Sequence, residues 1–281
     1  MYLFNNPEVN AVIELALNED IGTGDITTLS TIPADKTAHG RFLAKEDMVI
    51  CGVELAACIF AKVDADIVFT ASVKDGDTVA KGDIIATVDG NAQNVLTGER
   101  TALNFMQRLT GIATRTAAAV AQVAGTNAKI TDTRKTTPGM RVLEKYAVRV
   151  GGGTNHRFNL ADGVLIKDNH IAVSGGIAKA VANARRVIPH TLKIEVEVEN
   201  EKQLAEALEA GADIIMLDNM SNEQMRKCVG LIGGRALVEA SGNMGDKNLR
   251  EVAETGVDII SIGALTHSVR AADISLKFTI S

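Results

Sequence analysis

The chain has 281 residues, 46% of them hydrophobic, with a formal net charge of −6 and no tryptophan. That length allows one large α/β domain or two smaller ones around a substantial core. The acidic balance and scarce aromatics argue against nucleic acid as the main partner. The most apolar stretch, "MVICGVELAACIFAKV", is broken by Glu54 and too short to span a bilayer, and the N-terminus has no signal-peptide pattern, so neither membrane nor secretion is expected.

An opening helix is expected from Asn6 as N-cap and Pro7 at the first helical position, with Val9, Val12, Ile13 and Leu17 at helical spacing and "EDIGTGDITT" ending it. Residues 37 to 90 read as β-rich, with turn signals "DGD" and "KGD". Within them, Cys51 and Cys58, like Cys228 later, fit neither a CxxC pair nor a zinc site. Small buried thiols in a reducing cytoplasm are the expectation. The piece "VKDGDTVAKGDIIATVDG" looks like the hairpins of lipoyl or biotinyl carriers, but no modifiable lysine stands at a hairpin tip.

Residues 97 to 124 form a long helical pattern with an expected break at Gly111. After it, six short apolar runs, "AKITDT", "GVLIKD", "LKIEVEVE", "ADIIMLDN", "RALVEASG" and "VDIISIG", alternate with helical stretches. Repeated β then α implies right-handed crossovers and a parallel sheet, here closing like a barrel, since no GxGxxG follows any strand. Chemistry then belongs at the carboxyl ends of the strands.

Those ends are polar. Between residues 131 and 170 stand seven Lys or Arg and four acids, a local excess of three positive charges in an acidic chain, which points to a focused anion site. Arg134, Lys135, Arg157 and Lys167 flank turns beside strands and are the functional candidates. Arg141, Lys145 and Arg149 repeat at helical spacing and are expected on a solvated face. The Gly run before His156 lets backbone approach an anion, and His170 in "KDNH" is equally well a satisfied structural histidine. Glu195, Glu197 and Glu199 alternate and so share one strand face; a carboxylate there with Asp218 could hold Mg²⁺. "ASGNM" and "SIGAL" suit phosphate at the last two strands.

With "ERTALNFMQRLTGIAT", "DTRKTTPGMRVLEKYAVRVGGGTNHR", "LIKDNH", "EVEVEN", "MLDNM", "EASGN" and "SIGALTHS" in this order, the chain resembles the quinolinate phosphoribosyltransferases. The resemblance implies an N-terminal α/β sandwich domain over residues 1–110, completed by about 267–281, and an incomplete α/β barrel of about six strands over 111–266. It also implies a homodimer at least, with shared active sites and hexamers as a further assembly. The implied reaction joins quinolinate and phosphoribosyl pyrophosphate, with Mg²⁺, into nicotinate mononucleotide, pyrophosphate and CO₂ in cytoplasmic NAD synthesis.

By the same resemblance, Thr133, Arg134, His156, Arg157 and Lys167 face the pyridine diacid, Lys135 lies between it and the pyrophosphate, and Arg100 comes from the neighbouring subunit. Glu197 and Asp218 hold the ribose hydroxyls and the Mg²⁺-bound substrate; with Lys135 and Lys167 they form the implied catalytic set. Ser241, Gly242, Asn243, Gly263 and Ala264 take the 5′-phosphate. Two departures stand out: Val150 where the family often has Cys, and Asn243 where a second Gly is commoner.

Overall fold

A computed structural model describes residues 6–279. The chain divides into two compact units. One comprises the chain up to Ala117, residues 137–152 and the chain from Val269 onward; the other comprises residues 118–136 and 153–268.

In the first unit, α1 spans Pro7–Ile21, with the Asn6 side chain accepting from the Glu8 N–H at 2.8 Å and Val9, Ile13 and Leu17 buried, as the opening pattern requires. Beyond it the chain does not remain irregular. Asp25 caps a second short helix, α2 (Ile26–Thr31), accepting from the Thr28 N–H at 3.0 Å. Five strands follow: β1 (Thr37–Ala44), β2 (Met48–Val49), β3 (Val68–Ala71), β4 (Thr78–Val79) and β5 (Ile84–Asn91). The C-terminal strand Ile274–Thr279, β1, β5 and β3 form one antiparallel sheet in that order, and β2 pairs with β4.

The β-rich reading of residues 37 to 90 missed a helix. α3 (Val53–Val63) buries Leu55, Ala56, Ile59 and Phe60 along one side. Its rings join the sheet, with Phe42 lying 6.1 Å from Phe60 and 5.6 Å from Phe69 between centroids. What starts it is distant in sequence: Asp75 Oδ1 accepts from the N–H groups of Gly52 and Val53, at 2.9 and 3.0 Å. Asp75 Oδ2 accepts from the Tyr146 hydroxyl at 2.8 Å, and burial together with that bond holds the phenol far above its ordinary pKa.

Two further expectations are corrected here. α4 runs unbroken through Gly111, from Ala92 to Gln122. The glycine is needed for closeness: a Cβ there would overlap the Arg270 carbonyl oxygen and sit 3.3 Å from the Ala271 Cα. α5 (Arg141–Val150) does not present its basic residues on one solvated face, because Lys145 is buried beside Glu144, while Arg149 is exposed. Glu144 accepts from Arg108 Nε and Nη2 at 2.8 and 2.6 Å and from the Thr137 N–H at 3.1 Å, so a buried charge inside the helix's apolar side is compensated.

The second unit contains the six expected strands: β6 (Lys129–Thr131), β7 (Val164–Ile166), β8 (Ile194–Val198), β9 (Ile214–Asp218), β10 (Leu237–Ser241) and β11 (Ile259–Ser261). All paired neighbours are parallel, in the order β6-β11-β10-β9-β8-β7. The first strand thus pairs with the last, as in a barrel, while β6 and β7 form the two edges and leave it incomplete. Thr154 partly covers the β6 edge through a single parallel bridge to Thr131. Helices α6 (Asp168–Ser174), α7 (Ile177–Val187), α8 (Glu201–Glu209), α9 (Asn222–Ile232), α10 (Leu249–Ala253) and α11 (Ala264–His267) follow their strands.

Candidate active site

The carboxyl ends of these strands open into two adjoining cavities, of about 390 and 170 Å³, that share Thr133, Lys135, Lys167, Ser241 and Ser261. Into the smaller one come Arg134, His156 and Arg157. Into the larger come Glu197 and Asp218, then Gly242, Asn243, Gly263 and Ala264. Arg100 lines neither; it is exposed on α4 in the first unit.

The cations of the smaller cavity are held at close quarters. Arg157 donates from Nη1 to the Gly163 carbonyl at 3.0 Å. Burial, and then the Arg134 charge, push the Arg157 guanidinium below its ordinary pKa, partly offset by Glu195 and Asp162. Two guanidiniums confined this way create a strong positive potential that an anion would relieve. Lys135 is anchored through its backbone, its N–H donating to Thr133 Oγ1 at 3.0 Å and its carbonyl accepting from the Thr266 hydroxyl at 2.8 Å.

Glu197 pairs with Lys167 Nζ. His170 takes the structural alternative: its Nδ1 accepts from the Lys167 N–H at 3.0 Å, capping α6.

In the larger cavity the turns after β9 and β10 interlock. Asn219 adopts φ 54° and donates from its backbone N–H to the Ser241 carbonyl at 3.1 Å. Asn243 has φ 51°, a left-handed conformation that asparagine tolerates best after glycine. Gly242, at φ 94°, has no such freedom: a Cβ would overlap the Asn219 side-chain oxygen and lie 2.7 Å from its backbone nitrogen. Gly242→Ala is therefore expected to displace this turn and lower kcat/KM by about 100-fold with little change in far-UV circular dichroism. Kinetics within a few-fold of the parent would sink that account of the turn.

Several lining residues were not among the sequence-based candidates: Asn219, Met244, Ser261 and His267 in the larger cavity, and Glu239 in the smaller. Glu239 carried a readable signal, an acid inside the otherwise apolar run "RALVEAS". Glu195 was noticed only as one of three alternating glutamates; it is buried at 5% exposure, Glu197 is part-buried and Glu199 is exposed.

Glu195, Glu239 and His156 offer ligand atoms within 4.8 Å of one another, a spacing that could suit a metal. Hydrogen bonding rules against it. His156 Nδ1 accepts from the Arg157 N–H at 2.8 Å, so the neutral ring carries its proton on Nε2, where a metal would need the lone pair. The cation candidates with suitable chemistry are instead Glu197 and Asp218, hard oxygen donors at the ends of neighbouring strands β8 and β9. Among the described residues, no helix is long and apolar enough to cross a membrane. The three cysteines are all free, and burial raises each thiol's pKa, which suits an inert role; Cys58 is only half-buried.

An incomplete α/β barrel with a cationic cleft and glycine-rich turns at its strand ends defines an enzyme of anionic, phosphate-bearing substrates. The comparisons narrow the class. Residues 25–110 match the N-terminal domain and residues 112–277 the C-terminal domain of quinolinate phosphoribosyl transferase. The Bacillus subtilis protein named "Probable nicotinate-nucleotide pyrophosphorylase [carboxylating]" is 45% identical over 99% of this chain and 96% of its own length. A Nicotiana tabacum quinolinate phosphoribosyltransferase [decarboxylating] 1b is 44% identical over 96% of this chain and 82% of its own. The solved structure of the nicotinate-nucleotide pyrophosphorylase from Francisella tularensis superposes with a TM-score of 0.93 at 40% identity, covering 99% of both chains. The chain belongs to the quinolinate phosphoribosyltransferase family.

Proposed function

We infer that the chain transfers the phosphoribosyl group of phosphoribosyl pyrophosphate to quinolinate with loss of CO₂, giving nicotinate mononucleotide and pyrophosphate in NAD synthesis. The observation that carries this is the pair of adjoining cavities: one with two confined guanidiniums, the other with two acids and glycine-rich turns, and Lys135 and Lys167 lining both.

In this reading Arg134 and Arg157 grip the pyridine carboxylates, for which the guanidinium fork suits two-point binding. The turns at Ser241, Gly242 and Asn243 and at Gly263 and Ala264 offer backbone N–H groups to the 5′-phosphate. Glu197 accepts from the ribose hydroxyls. Lys135, at the junction, stabilises negative charge on the departing pyrophosphate while the pyridine nitrogen attacks the anomeric carbon from the opposite face. Glu197 and Asp218 would hold Mg²⁺, which when bound supplies further neutralisation of the pyrophosphate. The adjacent carboxylate then leaves as CO₂, its electron pair staying on the ring carbon beside the cationic nitrogen that stabilises it, and a proton taken up from solvent at that carbon completes nicotinate mononucleotide. No protein nucleophile enters, so positioning and electrostatics carry the catalysis. A homodimer in which Arg100 completes the neighbour's site, and a cytoplasmic setting, belong to the same proposal.

The test is a coupled assay with purified protein, Mg²⁺ and phosphoribosyl pyrophosphate, offering quinolinate or nicotinate. Mononucleotide and CO₂ in equal amounts from quinolinate, and no product from nicotinate, is the expected result. Turnover of nicotinate alone, or of neither acid, overturns the substrate assignment.

A further inference from the structure

Two buried acids to which this reaction gives no role, Glu195 and Glu239, meet the part-buried His156 inside the barrel. His156 Nε2 lies 3.3 Å from Glu195 Oε2 and 3.6 Å from Glu239 Oε1. Both acids sit on strands, Glu195 on β8 and Glu239 on β10, the latter only 2% exposed. One oxygen of each, Oε1, is buried with no hydrogen-bonding partner, and a cavity of about 410 Å³ is bordered by all three residues. Keeping two carboxylates dry beneath an anion pocket is costly, so a plain apolar pair would be the stable choice if packing were their only task.

What they hold is the segment that carries Arg157. Asp132, fully buried, accepts from the His156 N–H at 2.9 Å and from Asn155 Nδ2 at 2.7 Å. The imidazole accepts the Arg157 N–H on Nδ1, while its Nε2 is within reach of Glu195 Oε2 and packs against Glu239 Oε1 a little farther away. Backbone and ring of residue 156 are thereby held by separate partners, and Arg157 follows directly. His156 also lines the smaller cavity, beside Arg134 and Arg157.

We propose that Glu195 and Glu239 are positioning residues for the diacid cavity: acting through the His156 ring, they fix the placement of Arg157 and so set the affinity for the pyridine diacid, leaving the phosphoribosyl half of the site unaffected. This rests on the quinolinate reading above. Burial, and then the charge of Glu195, raise the Glu239 carboxyl well above its ordinary range, so that the pair sets less than two full charges under the anion site.

The direction of the effect separates this role from simple electrostatics. Removing a carboxylate near an anion pocket should tighten diacid binding if charge alone mattered. Positioning requires the opposite. The experiment is steady-state kinetics with each substrate varied in turn, for the parent, Glu239→Ala, Glu239→Gln and His156→Phe, with folding checked by thermal melting. Glu239→Ala is expected to raise the KM for quinolinate about tenfold or more and to leave that for phosphoribosyl pyrophosphate within about twofold. Glu239→Gln, which keeps an acceptor and mimics the protonated acid, is expected to restore both. His156→Phe removes the imidazole ring through which the acids act, so adding Glu239→Ala to it should raise the quinolinate KM no further.

An unchanged or lowered quinolinate KM in folded Glu239→Ala, an equal rise for both substrates, or a Gln variant as impaired as Ala overturns the proposal. If Glu239→Ala does not fold, Glu195→Ala and Glu195→Gln decide by the same criteria. A parent protein that does not convert quinolinate overturns the functional reading and this proposal with it; a parent that does, with unselective variants, overturns the proposal alone.

Discussion

Arg157→Ala is expected to lower kcat/KM for quinolinate by about 100- to 1000-fold, with the KM for phosphoribosyl pyrophosphate nearly unchanged. Two charge-assisted hydrogen bonds from one guanidinium are worth about 1.5–3 kcal/mol each, and tenfold in rate corresponds to roughly 1.4 kcal/mol. The side chain is already partly desolvated and held by the Gly163 carbonyl, so little ordering remains to be done on binding. Arg134 limits the loss to a binding defect, since it remains in the same cavity. Arg157→Lys should recover only part of the activity, because a point charge cannot make the two-point contact. Kinetics with both substrates varied check this; a full recovery with Lys, or an equal defect for both substrates, would remove Arg157 from the diacid's grip.

The second large effect is on stability. Gly111→Ala should destabilise the protein by about 2–4 kcal/mol, although Ala in an ordinary helix interior is favoured over Gly by about 1 kcal/mol. The reversal comes from the C-terminal segment running along α4: Ala272 N–H donates to the Gln107 carbonyl at 2.9 Å and Gln107 Nε2 to the Ile274 carbonyl at 2.7 Å. A methyl group at position 111 meets the Arg270 carbonyl, two residues before the first of those anchors. Thermal melting should fall by roughly 5 °C or more. A rise in melting temperature would mean that the segment moves aside freely.

These two residues also show where one-dimensional reading works and where it stops. Arg157 was legible because a cation beside a strand end, after a glycine run, has few structural reasons to be there. Gly111 was misread as a helix break because a glycine that breaks and a glycine that admits another backbone look alike locally; Arg270, which distinguishes them, is remote in the chain. Lys145 was misplaced for a related reason. Helical spacing says that Arg141, Lys145 and Arg149 are near one another, but not which side of α5 is covered, and Lys145 is buried. α3 was hidden in an apolar run that suits strand or helix equally, and its N-terminus is capped by Asp75 from another loop.

By itself the sequence determined the six parallel strands, the capped opening helix and the gathering of cations and glycine turns at strand ends, because each rests on periodicity or on residues adjacent in the chain. Only the tertiary structure decided what lies beneath that site. His156 meets Glu195 on β8 and Glu239 on β10, partners widely separated along the chain, and a carboxylate's role is set by the donors and burial around it, which no local pattern encodes.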